Sequence, residues 1–141
     1  MGSIWSQTCS IGRRPPLRGH LKTQAAVVGA GMAGVLTAYA LQQAGLSVVV
    51  LEAGRIAGGQ TQNTTAKITS QHGLIYSRLI QSFGEETARR YAKANQDAVR
   101  AYQDLIDVQG ISCDWEERCA YLYGPDVTVL QEEAEAARRL G

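Results

Sequence analysis

Six residues, Gly29-Ala30-Gly31-Met32-Ala33-Gly34, constrain the fold of this chain more than any others. They lie between an apolar run, Ala25 to Val28, and a helical pattern of apolar residues from Met32 to Leu41. A G-x-G-x-x-G in that strand-turn-helix setting reads as a dinucleotide-binding turn, because each glycine has its own task. Gly29 allows a tight turn, Gly31 lets the backbone approach a pyrophosphate, and Gly34 lets the helix lie close to its strand. The helix start, with Met32 and Ala33 in its first turn, offers unpaired N–H groups and partial positive charge to phosphates. The bland alternative is a glycine-rich turn with no ligand.

Gly45 reads as a left-handed cap that ends the helix, and Leu46-Ser47-Val48-Val49-Val50-Leu51 as a second, buried strand. Glu52 closes that strand, 18 positions beyond Gly34. An acid at the carboxyl end of the second strand can accept hydrogen bonds from the hydroxyls of an adenosine ribose, and it repels a 2′-phosphate, which disfavours NADP. A solvated strand end is the ordinary alternative for Glu52. The fold class that follows is α/β, a Rossmann-like parallel sheet with helices.

The segment after Glu52 bears on which dinucleotide is bound. Ala53-Gly54-Arg55-Ile56-Ala57-Gly58-Gly59 runs into Gln60-Thr61-Gln62-Asn63-Thr64-Thr65-Ala66-Lys67-Ile68-Thr69-Ser70-Gln71-His72-Gly73, a poor core and a good polar cradle. Together with the stretch VVGAGMAGVLTAYALQQAGLSVVVLEAGRIAGG, the TTAKITSQHG block resembles the FAD-dependent oxidoreductases of the D-amino-acid oxidase and glycine oxidase superfamily. More narrowly it is similar to the branch whose full-length members often end in a Rieske iron–sulfur domain. The likeness is close over residues 24 to 74 and looser from there to Gly141. It implies FAD as cofactor, with the loop after the acid wrapping its ribose and pyrophosphate. Gly29, Gly31, Met32, Ala33, Gly34, Glu52, Ala53, Arg55, Gly59, Thr61, Thr64 and Thr65 are then the candidate cofactor contacts. Arg55 can instead be a surface charge, and Thr64 and Thr65 a turn or a helix cap. The resemblance further implies oxidation of an amine or amino-acid-like substrate by hydride transfer to the flavin. It names no catalytic residue: Lys67 and His72 lie in the polar loop, where a lone His more often serves as a hydrogen-bonding group. An NAD-dependent dehydrogenase and a non-catalytic nucleotide-binding fragment are the rival readings.

Length sets the next bound. By size, 141 residues make one ordinary domain. Enzymes of the resembled kind also carry a substrate domain with a large antiparallel sheet, so the chain reads as the N-terminal part of a longer protein with that domain largely missing. The expected division is a basic arm over 1–23, a cofactor domain over 24–110 and the start of a substrate domain over 111–141.

The arm holds Arg13, Arg14, Arg18 and Lys22 with no acid. That bias fits a transit peptide, and Met1-Gly2-Ser3-Ile4-Trp5-Ser6 fits the loose acylation pattern. The preferred reading is an ordered or semi-ordered arm, since Ile4-Trp5-Ser6 and Pro16-Leu17 are similar to an extension that related flavoproteins carry. A net charge of +1 argues against a broad nucleic-acid surface. No run approaches the roughly 18 apolar residues of a membrane span, and the expected location is cytoplasmic. Cys9, Cys113 and Cys119 are odd in number and too far apart for a C-x-x-C site, so they read as free thiols without metal. With His20 and His72 as the histidines, no Rieske ligand set fits within this chain.

Beyond the loop, Gly73 to Ile80 reads as a short helix and Glu85 to Val108 as a long one stopped by Gly110. Ala88, Tyr91, Ala92, Ala98, Val99, Tyr102, Leu105 and Ile106 form its packing face, and Tyr76, Tyr91 and Tyr102 are expected in cores rather than beside a flavin. Ile111 to Arg118 and Cys119 to Tyr123 read as one or two strands before the Gly124-Pro125 turn, with open edges prone to association. Asp114, Glu116 and Glu117 read as a solvated edge, and Val129 to Gly141 as a final helical pattern.

Overall fold

The computed structural model describes residues 3–141, so the Met1-Gly2 start of the acylation pattern lies outside the described residues. Two compact units divide the chain, Met1–Ala66 and Lys67–Gly141.

The first unit is a β-α-β motif with an N-terminal arm. Strand β1 (Ala25–Val28) pairs in parallel with β2 (Val48–Leu51), Ala25 opposite Val48 and Val28 opposite Leu51. Parallel neighbours need a crossover, here helix α2 (Met32–Gln43). Helix α2 ends as the sequence predicts. Gly45 has φ +84°, its N–H donates to Gln42 O at 2.9 Å, and the N–H of Leu46 donates to Leu41 O at 3.1 Å. That pair of bonds satisfies the last carbonyls in a Schellman motif. At the opposite end of the sheet, the Ser47 N–H donates to Gln24 Oε1 and the Gln24 N–H to Ser47 Oγ, pinning the register. The second strand is shorter and less buried than expected: Leu46 and Ser47 precede it, and Val50 is 37% exposed, because among the described residues one helix covers the two-stranded sheet. The arm forms a one-turn helix α1 (Ile4–Thr8), capped by the Ser3 hydroxyl, and runs on without regular structure to Gln24.

The second unit packs helices α3 (Tyr76–Phe83), α4 (Glu85–Gln109) and α5 (Val127–Leu140) around Tyr76, Ala88, Ala92, Ala136 and Leu140. Small alanines let the helices approach closely. Gly84 turns α3 into α4 at φ +79°, and Gly110 ends α4 at φ +59°. Of the expected α4 face, Ala88 and Ala92 are buried, while Ala98 is exposed and Val99, Tyr102, Leu105 and Ile106 are half-buried. Neither α3 nor α5 covers that end of a helix that is roughly 37 Å long at 1.5 Å per residue.

One buried carboxylate organises this unit. Glu133 of α5 is 2% exposed, and its Oε1 accepts from the N–H groups of Ile75 (3.0 Å) and Tyr76 (2.9 Å) and from Gln71 Nε2 (2.9 Å). Its Oε2 accepts from the Ser77 N–H at 2.9 Å. Ile75, the cap residue of α3, has no side-chain acceptor, so Glu133 caps α3 from another helix. Burial pushes its pKa up, yet the amides of Ser77 and Tyr76 and the Gln71 side chain outweigh burial and hold it below the usual value.

The strands expected over 111–123 do not form. The segment is irregular, with Tyr121 and Tyr123 exposed, because no described strand offers it a ladder of hydrogen-bonding partners. An association edge built from that segment is therefore withdrawn.

Candidate functional site

The glycine turn has the geometry its sequence demands. Gly29 has φ +97°, which side chains rarely tolerate, and its N–H donates to Leu51 O at 2.7 Å, so the turn leaves β1 while still bonded to β2. A Cβ on Gly34 would stand 1.9 Å from Gly29 O and 3.4 Å from Val27 Cγ1, so only glycine lets α2 start this close to the strand. Gly31, extended at φ −79° and ψ −177°, caps α2 without a side chain. A Cβ there would stand 3.3 Å from Thr61 Oγ1, the atom that accepts from the Met32 N–H at 2.9 Å. The amides of Ala33 and Gly34, in the first turn of α2, have no intrahelical acceptor.

Glu52 follows β2 directly. Its Oε2 accepts from the Ala30 N–H and its Oε1 from the Gly54 N–H, both at 2.8 Å. The Ala30 amide first, then those of Gly54 and Ala53, hold its pKa below the usual value and outweigh desolvation. A carboxylate has about four acceptor positions, so these amides leave acceptor capacity on Glu52 unused.

The loop is tied to the glycine turn at two points. Ala57 N–H donates to Ala30 O at 2.8 Å, and Thr61 Oγ1 accepts from Met32. Between them Gly58 is boxed in, since a Cβ would stand 2.8 Å from Arg55 Cβ. A 3-10 turn follows at Gln60–Asn63, with Gly59 and Thr64 as its flanking residues. The Gln62 side chain donates to Gly58 O, and Thr64 Oγ1 donates to Thr61 O at 3.1 Å.

Two cavities flank this frame. One of about 620 Å³ is lined by Ala30, Val49 to Ile56 and the arm residues Ile11 to Leu17, and so contains Glu52 and Ala53. The other, about 300 Å³, is lined among others by Trp5, Met32, Arg55, Gly58, Thr61 and Thr64. Arg55, which is exposed, lines both, as do Ile11 and Ile56. Gly29, Gly31, Ala33, Gly34, Gly59 and Thr65 line neither of them, and Thr65 is exposed. Lys67 and His72 belong to the second unit. His72 is exposed and its Nε2 lies 3.4 Å from Asn95 Oδ1.

Residues that sequence reasoning did not assign to the site come from the arm. Ile11, Arg13 and Arg14 line the larger cavity, and Trp5 donates its indole N–H to the cofactor loop. The signals available were the basic cluster that includes Arg13 and Arg14 and the Ile4-Trp5-Ser6 element.

The fit to a dinucleotide is good in chemistry. Glycine backbone packs where a side chain would clash, first-turn amides supply a partial positive charge, an oriented carboxylate has acceptor capacity left, and an exposed arginine lines both cavities. A family model described as FAD dependent oxidoreductase, DAO, matches residues 24–141. The chain belongs to this FAD-dependent oxidoreductase family. YhfW of Bacillus subtilis (strain 168), named as a Rieske 2Fe-2S iron–sulfur protein, is 36% identical over 142 residues, covering 99% of this chain and 28% of that protein. Gamma-glutamylputrescine oxidoreductase of Escherichia coli (strain K12) is 28% identical over 82% of this chain and 28% of its own length. The bifunctional tRNA 5-methylaminomethyl-2-thiouridine biosynthesis protein MnmC of Marinomonas sp. (strain MWYL1) is 40% identical over 59% of this chain and 11% of its own length. The chain thus spans little more than a quarter of the first two relatives. No solved structure matches it significantly. The family's cofactor is FAD, and no described helix is long and apolar enough to cross a membrane.

Proposed function

We propose that this chain holds the ADP portion and pyrophosphate of FAD, as the cofactor-binding part of an enzyme that oxidises a small amine or amino-acid-like substrate. The observation that carries this reading is Glu52, held by the Ala30 and Gly54 amides beside the Gly29–Gly34 turn. In this reading Glu52 accepts from the adenosine ribose, the Ala33 and Gly34 amides and the side chain of Arg55 neutralise the pyrophosphate, and Thr61 donates its hydroxyl hydrogen to it. Gly29, Gly31, Met32 and Ala53 bring backbone alongside, while Gly59, Thr64 and Thr65 shape the loop. The bound flavin supplies the redox chemistry by accepting a hydride from a carbon beside nitrogen, and the protein positions the cofactor and excludes water.

Amine oxidation draws support from the similarity to gamma-glutamylputrescine oxidoreductase. Helix α2 is apolar on every side yet buries none of its residues, so this reading assigns a further layer of protein over it. The arm of 1–23, a cofactor domain of 24–110 and the beginning of a substrate domain over 111–141 remain its proposed organisation. The exposed thiols of Cys9, Cys113 and Cys119 support a reducing, cytoplasmic setting, and the open edges of β1 and β2 are the surfaces for association.

The test is the absorbance spectrum of the purified chain after FAD is added and the excess removed. Retained bands near about 370 and 450 nm are expected of a held flavin. A colourless chain that instead quenches or enhances NADH fluorescence refutes the reading in favour of a nicotinamide site.

A further inference from the structure

The arm, which precedes the dinucleotide motif, is bonded to the loop that follows it. Trp5 Nε1 donates to both oxygens of Thr64, to Oγ1 at 3.0 Å and to the carbonyl at 3.1 Å. Thr64 Oγ1 in turn donates to Thr61 O at 3.1 Å, and Thr61 Oγ1 accepts from the Met32 N–H at 2.9 Å. Two sets of hydrogen bonds, joined through the covalent frame of Thr61, therefore link residue 5 to the first amide of α2, where the motif presents its N–H groups. The indole also forms part of the wall of the 300 Å³ cavity, beside Met32 and Arg55. These contacts join segments 59 residues apart in sequence.

We propose that Trp5 is a positioning residue for the cofactor: its indole N–H fixes Thr64, Thr64 fixes Thr61, and Thr61 sets the start of α2 against the pyrophosphate. The inference rests on the FAD reading above. The physical cause is geometric. A 3-10 turn of four residues is a weak element with poor hydrogen-bond geometry, and its end at Thr64 needs an external anchor to hold one orientation. Tryptophan suits the role because a single rigid ring supplies both an apolar wall and a directed donor.

Trp5→Phe keeps a ring and removes the donor; Thr64→Val keeps the shape of Thr64 and removes its hydroxyl. Flavin-fluorescence titration of the 141-residue chain is expected to show FAD binding weakened about tenfold in each variant, and no further in the double variant, because both break one relay. Amide exchange, read without cofactor, is expected to rise at Met32 and at residues 60–64 while Ala25 to Val28 keep their protection. Wild-type affinity in Trp5→Phe with unchanged exchange at Met32 overturns the proposal alone. Additive losses in the double variant also overturn it, since they mean independent packing effects. A wild-type chain that takes up no FAD overturns the cofactor reading, and this one with it.

Discussion

Replacing Glu133 by glutamine should destabilise the helical unit. The carboxylate is 2% exposed and accepts four hydrogen bonds, three from the Ile75, Tyr76 and Ser77 amides that open α3. An amide in its place keeps one acceptor oxygen for Ile75, Tyr76 and Gln71 and turns an N–H₂ toward the Ser77 N–H. The loss is then one charge-assisted hydrogen bond, the weakening of the others by loss of charge, and a donor facing a donor, together about 2–3 kcal/mol. Glu133→Ala adds an unpaired buried Tyr76 amide and an uncapped helix, and is expected to cost about 3–4 kcal/mol. Urea unfolding followed by far-UV circular dichroism reads this directly. With a slope of about 2 kcal/mol per molar urea, Glu133→Gln should move the midpoint down by about 1–1.5 M at pH 7. The pH dependence supplies a second check. The folded-state pKa of Glu133 is depressed, so its contribution is full above the unfolded pKa of about 4.3 and is lost as pH falls through the folded value. The gap between wild type and Glu133→Gln should therefore narrow below about pH 4. A glutamine variant with the wild-type midpoint at pH 7, or a gap unchanged down to acid pH, refutes the assignment of Glu133 as the cap of α3.

Three further outcomes are expected. Gly34→Ala places a Cβ 1.9 Å from Gly29 O, so α2 must move off its strand; a stability loss of about 3 kcal/mol and loss of retained flavin absorbance should follow. Glu52→Gln should weaken FAD binding about tenfold at pH 7.5 in fluorescence titration, as a charge-assisted hydrogen bond to the ribose becomes a neutral one. Because the Ala30 amide depresses the pKa of Glu52, wild-type affinity should stay level on lowering the pH to about 5 and decline only below the ordinary carboxylate value of about 4.3. Gly110→Ala, forced to φ +59° at the end of α4, should cost about 1 kcal/mol and lower the melting temperature by about 4 °C.

What could be read from the sequence was local. Ala25–Val28 is a strand and Met32–Gln43 a helix because the apolar pattern and three glycines dictate both, and Gly45 and Gly110 stop helices because only they adopt positive φ there without strain. Glu52 is where the strand-end acid belongs, since its position follows from counting along a β-α-β unit. What escaped was set by contacts across the sequence. The 111–123 segment has strand-like composition, but a strand exists through its partner, and composition cannot supply one. Glu133 stands in a run with Glu132 and Glu135, and composition gives no reason to single it out. Its spacing does: Glu133, Ala136 and Leu140 are three and then four apart and are all buried, which leaves one acid on an apolar stripe. Such a residue must find donors, and the uncapped start of α3 has them.

The two carboxylates solve the same physical problem in different ways. Glu133 is sheltered and carries bonds to both oxygens, so it serves packing and has little capacity left for a ligand. Glu52 is exposed, yet two amides hold it in one orientation without using all its acceptor positions. The Met32 amide is likewise already bonded to Thr61, while the next two, of Ala33 and Gly34, have no intrahelical acceptor. In the proposed FAD reading, the site orders its acceptor and donor groups during folding and keeps part of their hydrogen-bonding capacity for the dinucleotide. A ligand then gives up its own freedom but does not have to fix these side chains as it binds. By that reasoning, breaking the Ala30 to Glu52 geometry should weaken binding even where the carboxylate itself is retained, which makes the turn and the acid one functional unit.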